Sequence, residues 1–415
     1  MIFRWLLFIV FIICLNLYAS QAIKTISKNN WFFYSFIIAN LLLAFNFIFQ
    51  IYLLDRSSIV SPIFSYSLGL FLISILFQIF VVLFILFEDF FRIPQWFYHV
   101  FSKGFTQSLQ FMPDRRLFIS QLAILLASIP ASALFIGMLR GKYSYRVIKH
   151  ELSFDNLPRD FDGFRIAHIS DFHCGSFDNE KKLAYGINMI NQQQPDIILF
   201  TGDMVNNIAK EILPWKSLIS TLEAPFGKYA VLGNHDYGDY IKWDSNEEKL
   251  ENLNQFKSLL KDMGFKLLLN NSTKITKKNS SISLLGVENW GKGGFKKTGD
   301  LDLAIKNTNS KDFKILMSHD PSHWEEKVIN HKEHIDLTLS GHTHGMQFGI
   351  EIPGWIKWSP AQYRYKYWAG IYKERNQFIN VNRGFGFLAY PGRVGIYPEI
   401  SILDLKSNLN SDILT

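Results

Sequence analysis

Four apolar stretches, about Trp5 to Ile23, Trp31 to Leu54, Ile63 to Phe87 and Leu117 to Leu139, each reach the roughly 20 residues needed to cross a bilayer. A helix inside a soluble core carries a polar face, yet here polar residues occur only singly, as at Asn40, Asn46 and Gln78. The stretches therefore predict four membrane helices. Arg4 ahead of an apolar run that ends near Tyr18-Ala19-Ser20 has the outline of a signal peptide, but three further spans favour a retained anchor. Residues 1–142 are assigned to a transmembrane region and 143–415 to a separate domain of about 270 residues, enough for one substantial core.

Between the third and fourth spans, Glu88 to Arg116 mixes Arg92, Trp96, Phe97, Tyr98, Phe101, Lys103, Phe105 and Phe111. Rings and basic tips in that mixture suit a segment lying among lipid headgroups. Arg4, Arg56, Arg140, Lys142, Arg146 and Lys149 on one side balance Lys24, Lys28, Arg92, Lys103, Arg115 and Arg116 on the other, so the positive-inside rule does not decide the orientation. The dense basic cluster from Arg140 to Lys149 favours a cytoplasmic domain on a bacterial inner membrane. Cys14 lies in a span and Cys174 in the domain, which gives no sign of a disulfide framework. The net charge of +7 is concentrated beside the spans, which points to anionic headgroups and argues against nucleic acid as the main partner.

The second domain repeats one device: an apolar run followed at once by ligand-type residues. Arg165 to Ser170 leads into Asp171-Phe172-His173, and Ile197 to Phe200 into Gly202-Asp203. Tyr229 to Leu232 leads into Gly233-Asn234-His235-Asp236, Lys314 to Met317 into Ser318-His319-Asp320, and Leu337 to Ser340 into Gly341-His342-Thr343-His344. Each run reads as a buried strand. Gly-Asp recurs at Gly238-Asp239 and Gly299-Asp300, but without a strand before it. In Asp-x-His the middle residue points away, so Asp171 and His173 can share a target while Phe172 packs elsewhere. Gly202, Gly233 and Gly341 are expected to let the backbone turn sharply before a ligand. Carboxylate, imidazole and amide donors in this mixture suit two divalent cations such as Mn²⁺, Fe²⁺ or Zn²⁺. Such a pair activates water near neutral pH and polarises phosphate oxygens.

From about Phe164 to Leu405 these blocks resemble the calcineurin-like metallophosphoesterases, in particular their bacterial membrane-anchored branch. The resemblance implies an α/β fold, an αββα sandwich of two mixed sheets, here preceded by an all-α four-helix transmembrane region. It implies that Asp171, His173 and His344 hold one metal and Asn234, His319 and His342 the other, with Asp203 bridging. His235 becomes the catalytic histidine, acting on the leaving oxygen, and Asp236 a support behind the ligands. Members often carry Gly-Gly after the last histidine, whereas here Gly345 precedes Met346.

Alternation predicts helices over Asn179 to Gln193, Ala209 to Leu222 and Glu247 to Met263, further strands over Ile282 to Val287, Phe378 to Val381 and Ile400 to Leu405, and an exposed loop over Asn270 to Ser281. His168 is expected in the core, while His323 is a candidate for the pocket wall. Arg383 and Arg393, set among Gly384, Gly386 and Gly392, are the candidate substrate-binding residues, as phosphate clamps. The aromatic run from Phe348 to Trp368 is expected either to pack on its own domain or to form a lip that meets the bilayer. The expected function is metal-dependent hydrolysis of a phosphodiester or pyrophosphate in a lipid-linked or membrane-proximal substrate. The alternatives are UDP-2,3-diacylglucosamine hydrolysis, which related calcineurin-like enzymes carry out, and a membrane receptor or scaffold that uses the domain as a metal-stabilised binding module.

Overall fold

The computed structural model describes residues 2–54, 61–103, 113–352 and 354–408, which form a helical unit ending at Leu139 and a second compact unit beginning at Arg140. The helical unit contains α1 (Ile2–Ile26), α2 (Asn30–Leu53), α3 (Pro62–Lys103) and α4 (Pro113–Leu139). All four are long and apolar enough to cross a membrane, and this is a membrane protein. Its isolated polar residues pair across helices: Ser74 Oγ and Gln78 Nε2 donate to Asn40 Oδ1 at 2.5 and 3.1 Å, and Asn46 Nδ2 to Ser67 Oγ at 2.9 Å. In apolar surroundings an unpaired amide is costly, so these pairs also fix which helix faces meet.

Helix α3 continues past Phe87 to Lys103, so the first half of the segment expected among the headgroups is helical and continuous with the third apolar stretch. Glu88 is buried there among Arg116, Arg115 and Arg92, and Asp89 accepts from Arg116 at 2.8 Å and from Tyr18. Charge pairing permits these carboxylates at the end of an apolar helix. Phe105, Phe111 and Arg56 lie outside the described residues, as do the side chains of Trp96, Tyr98 and Lys103.

The second unit is a sandwich of two six-stranded sheets. The first runs β1 (Arg146–Phe154), β14 (Glu399–Ser407), β2 (Arg165–Ile169), β3 (Ile197–Phe200), β4 (Lys228–Ala230) and β5 (Phe265–Leu267). The second runs β12 (Gly370–Glu374), β13 (Gln377–Val381), β9 (Leu337–Ser340), β8 (Lys314–Met317), β7 (Ser280–Gly286) and β6 (Asn271–Lys277). A hairpin of β10 (Ile350–Ile352) and β11 (Ile356–Trp358) stands apart from both. The helices are α5 (Glu180–Asn191), α6 (Lys216–Ser220), α7 (Asn246–Asp262) and α8 (Leu301–Ile305).

Period-two alternation explains the layers. Ile166, Ile197 and Leu199 point between the sheets and meet Leu284, Ile315 and Leu339 of the other sheet. Ala167, Ile198 and Phe200 point outward, where Leu183 and Ile187 of α5 and Phe256 of α7 cover them. On the far side Leu285, Leu316 and Val381 pack against α8 and Trp324. Strands buried on both faces read as unbroken apolar runs, which is how the sequence presents them. The unit draws in residues just after the last span: Tyr143 is buried in the α5 layer, and Lys142 pairs with Asp178 at 2.6 Å.

Two expectations are corrected. Within Asn270 to Ser281, Asn271–Lys277 form strand β6, paired antiparallel with β7, which begins at Ser280. As an outer strand it buries only Ile275 and faces water with Lys274 and its polar neighbours, so no apolar alternation marks it. The helix expected over Ala209 to Leu222 is a tight turn, Ala209–Trp215, followed by α6; Pro214 lacks the N–H that a continuous helix requires.

Phe172 joins fold to site. It is fully buried, its ring stacks on Phe385 at 4.5 Å, and it separates Asp171 from His173. Phe172→Ala is expected to destabilise this unit by about 3–5 kcal/mol, read as a lower denaturant midpoint for its unfolding in detergent.

Candidate metal centre

Strands β2, β3 and β4 run parallel in one sheet, and β8 and β9 run parallel in the other. The residues that follow these five ends gather at one edge of the sandwich. Asp171, His173 and His344 form one group and Asp203, His319 and His342 another, the ligand atoms of each lying within 4.8 Å of one another. Each group takes residues from both sheets. Asp203 Oδ2 lies 3.1 Å from His319 Nε2 and 3.7 Å from His173 Nε2, so one oxygen faces both groups. Asn234 Nδ2 donates to Tyr240 Oη at 2.7 Å, while its Oδ1 is buried without a protein partner among the described residues.

The donor set fits two divalent cations. Nε2 of His173 and of His344 approach to 3.0 Å, and His319 Nε2 approaches His342 Nδ1 to 3.3 Å, so ring nitrogens converge in pairs beside carboxylates. A buried amide oxygen left over at such a place is the acceptor a cation takes. The ring of His319 is set by its Nδ1–H, which donates to the Thr201 carbonyl at 2.7 Å, and that of His342 by Tyr365 Oη, 2.8 Å from Nε2.

The backbone here is unusual. Asp171, His173, Asp203, His342 and His344 all have left-handed φ, at 53°, 50°, 59°, 70° and 49°. Few non-glycine residues adopt this conformation, and Asp and His are among those that tolerate it. Of the three glycines expected to turn the chain, only Gly202 has positive φ, at 99°. Gly233 and Gly341 serve close approach instead: a Cβ on the first would strike Asp203 Oδ1, and one on the second would strike Ser170 Oγ and Asp171 Oδ2. The left-handed path continues through Gly345, Met346 and Gln347, with Met346 at 49°.

Charges inside the group oppose burial. Burial acts to raise Asp171, but His344 beside it holds the carboxyl below its ordinary range. Burial likewise acts to raise Asp203, and His319 with His235 outweighs it. Burial would lower His319, yet Asp203 and Asp171 push it up to about 10. Burial and the neighbouring His344 and His235 drive His173 well below its usual value. Carboxylates and imidazoles here supply one another's counter-charge.

His235 stands beside this set and outside both groups. Its Nδ1–H donates to the Asn206 carbonyl at 2.7 Å, and its ring lies edge-on to His173 with centroids 5.0 Å apart. Asp236 Oδ2 accepts from the N–H groups of Gly233 and Asp203 at 2.8 and 2.9 Å, and Oδ1 from Met204 at 2.8 Å. It thereby ties the turn before Asn234 to the loop carrying Asp203. Sequence reasoning passed over Glu211, whose buried carboxylate accepts from the N–H groups of Asn206 and Asn207 and fixes the loop that holds His235. Only proximity in chain to Gly202-Asp203 marked it.

Neither arginine is free to clamp substrate. Arg383 is buried between Glu399 and Glu351, at 2.5 and 2.6 Å, and its charge is spent on them. Arg393 is fully buried, donates to the carbonyls of Gly384 and Gly386, and places Nη2 3.1 Å from His344 Nδ1, so it braces that ring from behind. Arg364 opens the basic run to Lys373, a stretch whose sequence allows contact with phosphates. Exposed, and in no ion pair among the described residues, it lies over Phe295 at 5.1 Å and Tyr365 at 5.5 Å, beside His342. Tyr240, half exposed, lies against the His235 ring at 4.5 Å. His168 is a core residue bonded to Thr201 and Asn380, and His323 is buried against Ser318.

Comparison with known proteins agrees with this geometry. Residues 164–346 match the family described as "Calcineurin-like phosphoesterase", and residues 3–142 that described as "Probable Calcineurin-like phosphoesterase, transmembrane domain". The chain is 31% identical to the uncharacterized metallophosphoesterase YkuE of Bacillus subtilis over 62% of this chain and 85% of that protein. It is 29% identical to the UDP-2,3-diacylglucosamine pyrophosphatase LpxG of Chlamydia trachomatis, over 48% of this chain and 69% of that one. Identity to the phosphodiesterase YaeI of Escherichia coli is 26%, over 63% and 88%. This is a membrane-anchored, metal-dependent phosphoester hydrolase. The chain belongs to the calcineurin-like metallophosphoesterases.

Because a Cβ at position 341 has no room beside Asp171, Gly341→Ala is expected to displace that carboxylate and lower bound metal while the domain stays folded. Elemental analysis alongside circular dichroism of the purified full-length variant checks this.

Proposed function

We propose that this protein hydrolyses a phosphodiester or pyrophosphate bond in a lipid-linked or membrane-proximal substrate. The carrying observation is the arrangement around Asp203, whose Oδ2 faces both groups of ligands while His235 stands beside them uncommitted. In this reading Asp171, His173 and His344 would hold one cation, Asn234, His319 and His342 would hold the other, and Asp203 would serve both. Two divalent cations, Mn²⁺, Fe²⁺ or Zn²⁺, supply Lewis-acid polarisation of phosphate and water activation when bound. The protein's own contribution is positional. Asn206 orients His235 through Nδ1, leaving Nε2 to give a proton to the leaving oxygen. Asp236 keeps Asp203 and Asn234 in register. Arg364 takes the clamp role that Arg383 and Arg393 are too buried to fill, as an exposed guanidinium beside His342.

The relatives LpxG and YaeI carry pyrophosphatase and phosphodiesterase names, which favours those bonds over a monoester. UDP-2,3-diacylglucosamine hydrolysis is the specific form LpxG suggests. The basic segment Arg140 to Lys149 supports a cytoplasmic active site.

Metal and turnover should separate in two variants. Asp203→Asn is expected to bind fewer cations than the two per chain of the wild type, whereas His235→Ala keeps both and loses turnover by about 10²–10⁴-fold. Full activity with unchanged metal in Asp203→Asn would overturn the assignment.

The membrane part of the reading has its own test. A chain starting at Arg140, which retains the buried Lys142 and Tyr143, is expected to hydrolyse a small soluble diester normally yet lose most activity on phosphate-bearing lipids in vesicles. Equal rates on both substrates, compared with the full-length protein, would remove the lipid from the proposal.

A further inference from the structure

Strands β1 and β12 are the outer strands of their respective sheets. Between them and the β10–β11 hairpin lies a cavity of about 630 Å³, within the roughly 300–1,000 Å³ typical of small-molecule sites. It shares no residue with the metal-facing set. Its charge is strongly one-sided: Arg146, Lys149, Lys357 and Arg383 against Glu351. Arg383 is neutralised by its two glutamates, but Arg146, Lys149 and Lys357 enter no ion pair among the described residues. Arg146 is held over the Tyr397 ring at 4.1 Å, and Lys357 Nζ is 2.5 Å from the Ala369 carbonyl.

Polar atoms are also left over in the wall. Arg383 Nε and His150 Nε2 are buried without a hydrogen-bond partner among the described residues, and Arg383 as a whole is only 5% exposed. Burial followed by the nearby Arg383 lowers Lys357, and burial with Arg383 and Lys357 outweighs Glu399 to lower His150. Burial is the main cause for both groups, and an anion held here would offset it. The hairpin beside the cavity presents Ile350, Ile352 and Trp355 to the outside, the last 77% exposed. A basic cavity next to an apolar projection matches an amphiphile with an anionic head. Strand β1 is moreover the first strand after the last membrane helix.

We propose that this cavity binds the phosphate of an anionic phospholipid headgroup, with Arg146, Lys149 and Lys357 as its cations and Ile350, Ile352 and Trp355 meeting the acyl chains. The site is separate from the metal centre and does not depend on what that centre hydrolyses.

The test uses full-length protein in maltoside micelles, titrated calorimetrically with dihexanoyl phosphatidylglycerol, dihexanoyl phosphatidylcholine or inorganic phosphate. Phosphatidylglycerol is expected to bind at least tenfold more tightly than either of the others. The triple variant Arg146→Gln, Lys149→Gln, Lys357→Gln is expected to lose at least tenfold in that affinity, with metal content and turnover of a soluble diester unchanged. Wild-type affinity should also fall as salt rises, a reading that needs no variant. Undiminished binding by the triple variant, equal binding of the two lipids, or salt-independent binding would overturn the proposal. Inorganic phosphate binding as tightly as the lipid would reduce the site to a free-anion site and overturn the lipid claim. Loss of metal with intact lipid binding would count against the hydrolase reading alone.

Discussion

Everything at the functional edge depends on the chain turning left-handed immediately after its strands. A strand sends alternate side chains to opposite faces, and a ligand set at one edge requires the backbone to leave that pattern within a residue or two. Each left-handed non-glycine residue costs about 1–3 kcal/mol and persists only where its surroundings impose it. Here they do: Phe172 is locked in the core between two such residues, and Asp236 ties down the loop carrying a third. The rigid sandwich and the strained edge are therefore parts of one design. The hydrolase chemistry borrows its precision from apolar packing some residues away.

Much of this was readable before any coordinates. A buried strand ending in Asp-x-His or Gly-Asp is a local signal, since the apolar run, the turn and the ligand are contiguous, and five such signals define an edge. The doubly buried runs of β3, β8 and β9 likewise announced buried strands, whereas their arrangement in two packed sheets came from the family resemblance. What stayed hidden depended on partners distant in sequence. Arg383 and Arg393 have the glycine neighbours of a phosphate clamp, but Glu351 and Glu399 occupy the first and the core encloses the second. Arg364, among bulky aromatics in a tract without apolar alternation, gave no sign that it reaches Phe295 and Tyr365. Strand β6 was missed because a solvated outer strand needs only one buried residue, Ile275.

The aromatic tract after the last histidine divides in two, which neither simple expectation described. Tyr365, Tyr367 and Trp368 are buried in their own domain, while Ile350, Ile352, Trp355 and Tyr363 remain exposed. The buried part has a duty at the site, since Tyr365 orients His342 and the Trp368 carbonyl accepts from Thr343 Oγ1 at 2.6 Å. The exposed part is then free to vary in chemistry without disturbing the ligands. One short insertion thus connects the metal-facing histidines to an exposed apolar surface of the domain.

Each of the two ligand groups takes members from both sheets. Along that edge the layers are also joined by apolar contact, which is non-directional, and by a few hydrogen bonds, among them His319 Nδ1–H to the Thr201 carbonyl and the His342 N–H to Asp171. Ions bound there would act as rivets between the layers, and register between the sheets would become a property of the medium as well as of the chain. A copy without ions would keep its interior and the hydrogen bonds of that edge, and would lack only the added cross-links between the sheets.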